Sequence, residues 1–210
     1  MSKKFIFILV YGMMLLSVSA FGSSLGIYNA TEQDSDTNNK HILVAYFSRA
    51  GENYGVGVVE KGSTEIIAEM IAKEMGADIF KIERATPYPA NYNECTAEAR
   101  KEHRENARPL LKNKLDNLDG YDVIYLGMPV WYGDMPMPVY TFVEGLDWNG
   151  KTVYPFTTHA GSRLASIPRT LRNICDGATV ADGFAISGTA AQKNQAQARK
   201  AVIEWLASNK

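Results

Sequence analysis

Two cysteines and three histidines are all that this 210-residue chain offers to a soft metal. His41, His103 and His159 lie far apart, with no His or Cys at ligand intervals, so no metal site is expected. Cys95 and Cys175 each fall on a predicted helix and read as unpaired buried thiols rather than as a disulfide framework. No Gly-x-Ser-x-Gly elbow is present, which removes the commonest serine-hydrolase arrangement. The Walker lysine pattern is missing too, which argues against nucleoside-triphosphate hydrolysis. Charge of neither sign is in excess: the formal net charge is −1, giving no basic footprint for nucleic acid and no acidic tail. Internal repeats are absent.

What is present is an ordinary soluble composition, 46% hydrophobic and 21% charged, in a length that suits one well-buried domain. The long apolar run, Phe5–Leu16, follows Lys3 and Lys4 and precedes the small residues Ser17–Ala20. That is the layout of a secretory signal peptide, with Val18 and Ala20 placed for cleavage after residue 20. The rival is an uncleaved membrane anchor, but the run reaches only the lower end of spanning length. No cysteine follows it for lipid attachment. The expectation is a signal peptide over 1–20, export to the periplasm and a charge of about −3 once Lys3 and Lys4 are removed. Membrane contact is expected only if that segment stays uncleaved. Residues 21–40, rich in Ser, Asn, Asp and Thr, read as a disordered, solvated tether to a domain over 41–210.

From His41 onward, strand-length apolar runs alternate with helical periodicity. Strands are predicted at Ile42–Phe47, Ala77–Ile82, Val123–Gly127 and Thr152–Phe156, with a short fifth within Thr179–Ile186. Helices are predicted where Ile66, Ile67, Met70, Ile71 and Met75 recur at helical spacing with Gly76 as the stop, over Asn91–Ala107, Pro136–Val143 before Gly145 and Leu164–Cys175, and as a last helix with Ala198, Val202, Trp205 and Leu206 on one face. Five near-continuous apolar strands, each followed by a helix, imply an α/β doubly wound parallel sheet with helices on both faces. In such sheets ligands bind at the C-terminal ends of the strands.

Three loops share that end. After the first strand come Ser48-Arg49, and later Gly62-Ser63-Thr64 opens a helix. Hydroxyls and bare amides there suit a phosphate monoester; the plainer reading makes Ser63 a helix N-cap. After the third strand, Pro129-Val130-Trp131-Tyr132-Gly133 places two large rings in a Gly/Pro loop, a poor place for ordinary core. The plainer reading packs them on a neighbouring loop or subunit. After the fourth, Thr157-Thr158-His159-Ala160-Gly161-Ser162 offers small residues whose backbone can approach a ligand edge. His159 reads as a hydrogen-bonding or packing residue rather than a general base. A phosphoryl-accepting receiver domain is excluded by residue type, since Tyr46-Phe47-Ser48 and Ile186-Ser187-Gly188 stand where its acidic site and lysine belong.

These residues resemble the flavodoxin family, in an exported bacterial branch with a lengthened first loop. The resemblance covers about 41–208 and rests on ILVAYFSRAG, GSTEIIAEMIA, YDVIYLGMPVWYGDMPMPV and PFTTHAGS in that order. It implies a flavodoxin-like sheet of order 2-1-3-4-5 and bound FMN. By position, Ser48, Arg49, Ser63 and Thr64 would hold the phosphate. Pro129, Val130, Trp131, Tyr132 and Gly133 would line the isoalloxazine, one of the two rings stacking on it. Thr158, His159 and Gly161 would approach its pyrimidine side. No catalytic residue is assigned. The segment AGENYGVGVVEKG, residues 50–62, departs from the family's compact phosphate loop, so the cradle must be assembled from two segments. The implied function is electron transfer to a redox partner protein or a small quinone-like acceptor. The alternatives are an FMN-dependent NAD(P)H reductase of quinones or nitro compounds, and a flavin-free scaffold. Export counts against nicotinamide chemistry, and the near-neutral charge counts against strong steering to a basic partner.

Overall fold

A computed structural model describes residues 41–209. The signal peptide and tether expected over 1–40 lie outside the described residues. The elements are β1 (Ile42–Phe47), β2 (Gly51–Asn53), β3 (Gly57–Val59), α1 (Ser63–Met75), β4 (Asp78–Ile82), α2 (Tyr92–Glu105), β5 (Val123–Pro129) and α3 (Met137–Glu144). They continue as β6 (Thr152–His159), α4 (Ile167–Ile174), β7 (Thr179–Val180), β8 (Phe184–Ser187), α5 (Gly188–Lys193) and α6 (Gln195–Ser208).

The main sheet runs β4-β1-β5-β6-β7, with β8 also paired to β6, and all these pairings are parallel. Counted as principal strands this is the expected order 2-1-3-4-5. Strand pleating sorts the side chains to two faces. Leu43, Ala45 and Phe47 of β1 join Ile124, Leu126 and Met128 of β5 in a core covered by α3 and α4. Val44 and Tyr46 alternate to the other face, where Ile67 and Ile71 of α1 and Ala198, Val202 and Leu206 of α6 cover them. Burial on both faces explains the near-continuous apolar strands.

Several boundaries differ from the sequence expectation, and those nearest the strand ends matter most. β5 continues through Met128 and Pro129, and β6 through Thr157, Thr158 and His159, because the two strands stay paired to Pro129↔Thr158. Thr157–His159 are therefore strand, not loop. The fifth strand is split: β7 pairs Thr152 and Val153, β8 pairs Phe156–His159, and Gly183 bridges the gap. A Cβ on Gly183 would stand 2.6 Å from the Pro155 carbonyl oxygen, so the chain passes Pro155 too closely for any larger residue. Helix α4 starts at Ile167, after a turn in which Arg163 and Ala165 have positive φ. The β2–β3 hairpin and α5 were not anticipated.

Candidate functional site

The C-terminal ends of β1, β5, β6 and β8 open into one cleft of about 820 Å³. Its floor is the N-terminus of α1. Gly62, not Ser63, is the N-cap, and it makes no side-chain cap bond. Glycine is required there, since a Cβ would overlap Ser48 Oγ and lie 2.5 Å from the Arg49 carbonyl oxygen. Ser48 does the capping from a distance: its Oγ accepts the Glu65 N–H at 3.1 Å. The amides of Ser63 and Thr64 precede the first intrahelical bonds and meet no acceptor among the described residues, so they remain an anion site at the positive end of the helix.

Thr64 is buried, 1% exposed, and its Oγ1 lies 2.7 Å from Thr158 Oγ1. This pair ties the helix start to the end of β6. One hydroxyl donates to the other, leaving one hydrogen of the pair for a ligand. Thr158 is thus a link between two walls as much as a pyrimidine contact. Ser63 Oγ donates to the Gly188 carbonyl at 3.3 Å.

Arg49 is placed differently from its expected role. Its guanidinium donates to the carbonyls of Glu52 (2.6 Å), Pro89 (2.8 Å) and Ala90 (2.7 Å). Those donors are spent on the backbone, so Arg49 clamps the hairpin to the loop before α2 rather than gripping a phosphate.

The aromatic loop is a two-residue turn. Trp131 and Asp134 exchange both backbone hydrogen bonds, 3.0 and 2.9 Å, and Tyr132 and Gly133 between them have φ of +52° and +78°. Positive φ at both central residues is the type I′ geometry. Trp131 is half-buried, meeting Phe47 and Tyr88 edge to face with ring centroids 5.5 and 5.1 Å apart. Tyr132 is 43% exposed, and its hydroxyl donates to the Thr96 carbonyl at 2.7 Å. Both rings line the cleft. Gly133 does not: its carbonyl turns away to accept Ser166 Oγ–H at 2.7 Å.

At the far wall, His159 Nδ1 accepts the Gly161 N–H at 2.9 Å, which puts the ring's proton on Nε2 in the neutral form. Burial, then the nearby Arg163, holds its pKa below the ordinary histidine value. The site therefore contains a neutral donor at its rim.

Eleven of the twelve expected residues line the cleft, Gly133 being the exception. Two walls were missed. One is the α2 face carrying Tyr92, Thr96, Ala99 and Arg100, on a helix predicted from the sequence but not connected there with the site. The other is the hairpin tip, Asn53–Val56. Glycines at 51, 55 and 57, each with positive φ, were the hairpin's signal. Among the described residues the lining includes Arg49 and Arg100 and no carboxylate, a balance that favours an anion.

A family model for flavodoxin matches residues 41–207. The chain belongs to the flavodoxin family. Flavodoxin 1 of Salmonella typhimurium is 29% identical over 101 residues, 46% of this chain and 43% of that protein, so the match spans under half of the curated relative. Among solved structures, a candidate flavoprotein of Bacteroides eggerthii is 29% identical with TM-score 0.64, covering 81% of this chain and 98% of that one. A flavoprotein of Lactobacillus acidophilus in complex with FMN is 23% identical with TM-score 0.54, covering 72% and 95%, and shows a shared fold. In this chain the cleft lies where β1, β5 and β6 end together, the position that a doubly wound sheet reserves for ligands.

Proposed function

We propose that the cleft binds FMN and that the protein acts as a redox protein in electron transfer, exchanging electrons with a partner protein or a small quinone-like acceptor. The observation that carries this reading is the convergence, in a flavodoxin-family chain, of an unpaired helix N-terminus, an aromatic turn and a neutral histidine donor in one carboxylate-free cleft. Bound FMN supplies the electron chemistry. The Ser63 and Thr64 amides hold the phosphate dianion, assisted by the free hydrogen of the Thr64–Thr158 pair. Trp131 and Tyr132 present rings to the isoalloxazine and keep water from one side of it. His159 offers its Nε2–H to a ring acceptor. Export, read from residues 1–20, belongs to the same proposal and would place the partner outside the cytoplasm.

Absorption of protein isolated from the native exported fraction tests the reading. A yellow preparation with a band near ~450 nm is expected. A colourless preparation that takes up no added FMN would remove it. Anaerobic mixing with NAD(P)H separates carrier from reductase: a carrier leaves the band unchanged, whereas rapid bleaching with quinone turnover assigns the enzyme instead.

A further inference from the structure

We infer that Tyr88, held by Glu102 and Arg84, is the positioning residue that fixes how the Trp131 ring stands in the cleft, and through that ring the affinity for the flavin. The inference rests on the FMN reading and names what orders the aromatic wall of that site.

Tyr88 is held by its hydroxyl and by its ring. Arg84 follows β4, and the backbone around it is pinned: the Ala85 N–H donates to the Leu110 carbonyl at 2.8 Å, and the Lys112 N–H to the Glu83 carbonyl at 2.8 Å. Its mostly buried side chain reaches α2, where Nη2 lies 2.8 Å from Glu98 Oε1 and 3.3 Å from Glu102 Oε1. The other Glu102 oxygen accepts the Tyr88 hydroxyl. The guanidinium carbon of Arg84 sits 4.0 Å from the centre of the Tyr88 ring, close enough for the negative face of the ring to attract it. Burial, then the Glu102 carboxylate, raises the pKa of the phenol, so it stays protonated as a donor.

Glu102 is an unusual residue for the place it fills. With Cys95 and Ala99 it makes the buried face of α2. Arg84 Nη1 is also buried, with no acceptor among the described residues. A leucine at 102 would bury that face without desolvating a carboxylate, and buried ion pairs add little stability over well-packed apolar residues. What the network supplies is a fixed geometry, and it is passed to one side chain. Tyr88 meets Trp131 with ring centroids 5.1 Å apart and planes at 74°. Phe47, buried at the end of β1, meets both rings edge to face, 6.1 Å from Tyr88 and 5.5 Å from Trp131. Trp131 is seated between a core ring and a tethered one, and it lines the cleft already ordered. A ring ordered before binding spares the complex that entropy loss.

The test is a double-mutant cycle, read by calorimetric titration of the flavin-stripped full chain with FMN. Tyr88→Phe keeps the ring and removes the tether, and should weaken FMN about fivefold. Glu102→Gln keeps an acceptor for the hydroxyl and should lose less than Tyr88→Phe. In a Trp131→Ala chain, Tyr88→Phe should change FMN affinity by less than about twofold, because its effect runs through the missing ring. A residue that only supported the fold would bring the same loss in both backgrounds. Fluorine NMR of the flavin-free chain labelled with fluorotryptophan reads the ring itself. The Trp131 resonance, assigned by its loss in Trp131→Ala, should move or broaden in Tyr88→Phe. The inference is overturned if Tyr88→Phe binds FMN as the wild type does, if its loss is the same without Trp131, if Glu102→Gln loses as much, or if the Trp131 resonance is unmoved. A wild type that binds no flavin overturns the FMN reading and this inference with it.

Discussion

Tyr132 carries a backbone angle of φ +52°, which costs a non-glycine residue about 1 kcal/mol and is repaid by its hydroxyl on α2 and by the turn it completes. Trp131 beside it has the opposite character, wedged between Phe47 and Tyr88 at the edge of the core. Tyr132→Ala should therefore lower the unfolding free energy slightly, by about 1 kcal/mol or less, whereas Trp131→Ala should cost about 2–3 kcal/mol. Both should loosen FMN; denaturant titration beside flavin titration separates the two effects. His159 gives a pH prediction. Its pKa lies below the ordinary value, so the folded state favours the neutral ring. The associated stability is fully present above about pH 6.5 and is lost as pH falls through the lowered pKa. Protonation also removes the Nδ1 acceptor that holds Gly161. FMN affinity should weaken on acidification below that point. The phosphate's own ionisation near pH ~6 acts equally in His159→Gln, so the difference between the two profiles isolates the imidazole.

At the scale of elements, the start of α1 matters most. Gly62 lets the helix end approach β1, and Ser48 rather than a neighbouring residue caps it. Gly62→Ala must push the helix away from Ser48 and Arg49, at about 1–3 kcal/mol, and should weaken FMN more than riboflavin, which lacks the phosphate. Equal losses would separate the helix start from phosphate binding. Helix α2 is capped conventionally: Asn91 Oδ1 accepts the amides of Asn93 and Glu94 at 3.0 and 3.1 Å. Asn91→Ala should cost about 1 kcal/mol in thermal or denaturant unfolding.

For the whole molecule, two cores on opposite faces of one sheet hold the strand ends in register; Cys175 belongs to one of them, and Cys95 is buried on α2 at the wall of the cleft. Cys95 and Cys175 are buried and unpaired. Burial raises the Cys95 thiol and pushes Cys175 up to about 12, so neither is a thiolate at neutral pH. A thiol reagent should leave both unmodified in the native protein and label both after unfolding. Fast labelling of native protein would contradict the packing. The fold was legible because each principal strand is a continuous apolar run, and the helices announce themselves by period and by stops such as Gly76. The hairpin was not, since Gly51–Val59 has too few apolar residues to show a period and is held by hydrogen bonds to residues 89–92 instead.

The sequence by itself determined the doubly wound sheet and the three loops at one end of it, because hydrophobic periodicity and turn residues are local and connections in such sheets follow one handedness, while the strand order followed only from the family resemblance. Only the tertiary structure decided what each polar group in those loops does. Arg49 could be assigned to a phosphate until the carbonyls of residues 52, 89 and 90 were brought against it. Ser63 could be a cap until Ser48, 17 residues before Glu65, accepted that residue's amide. Donors are satisfied by whatever acceptor the fold delivers, and most of those partners are distant in the chain.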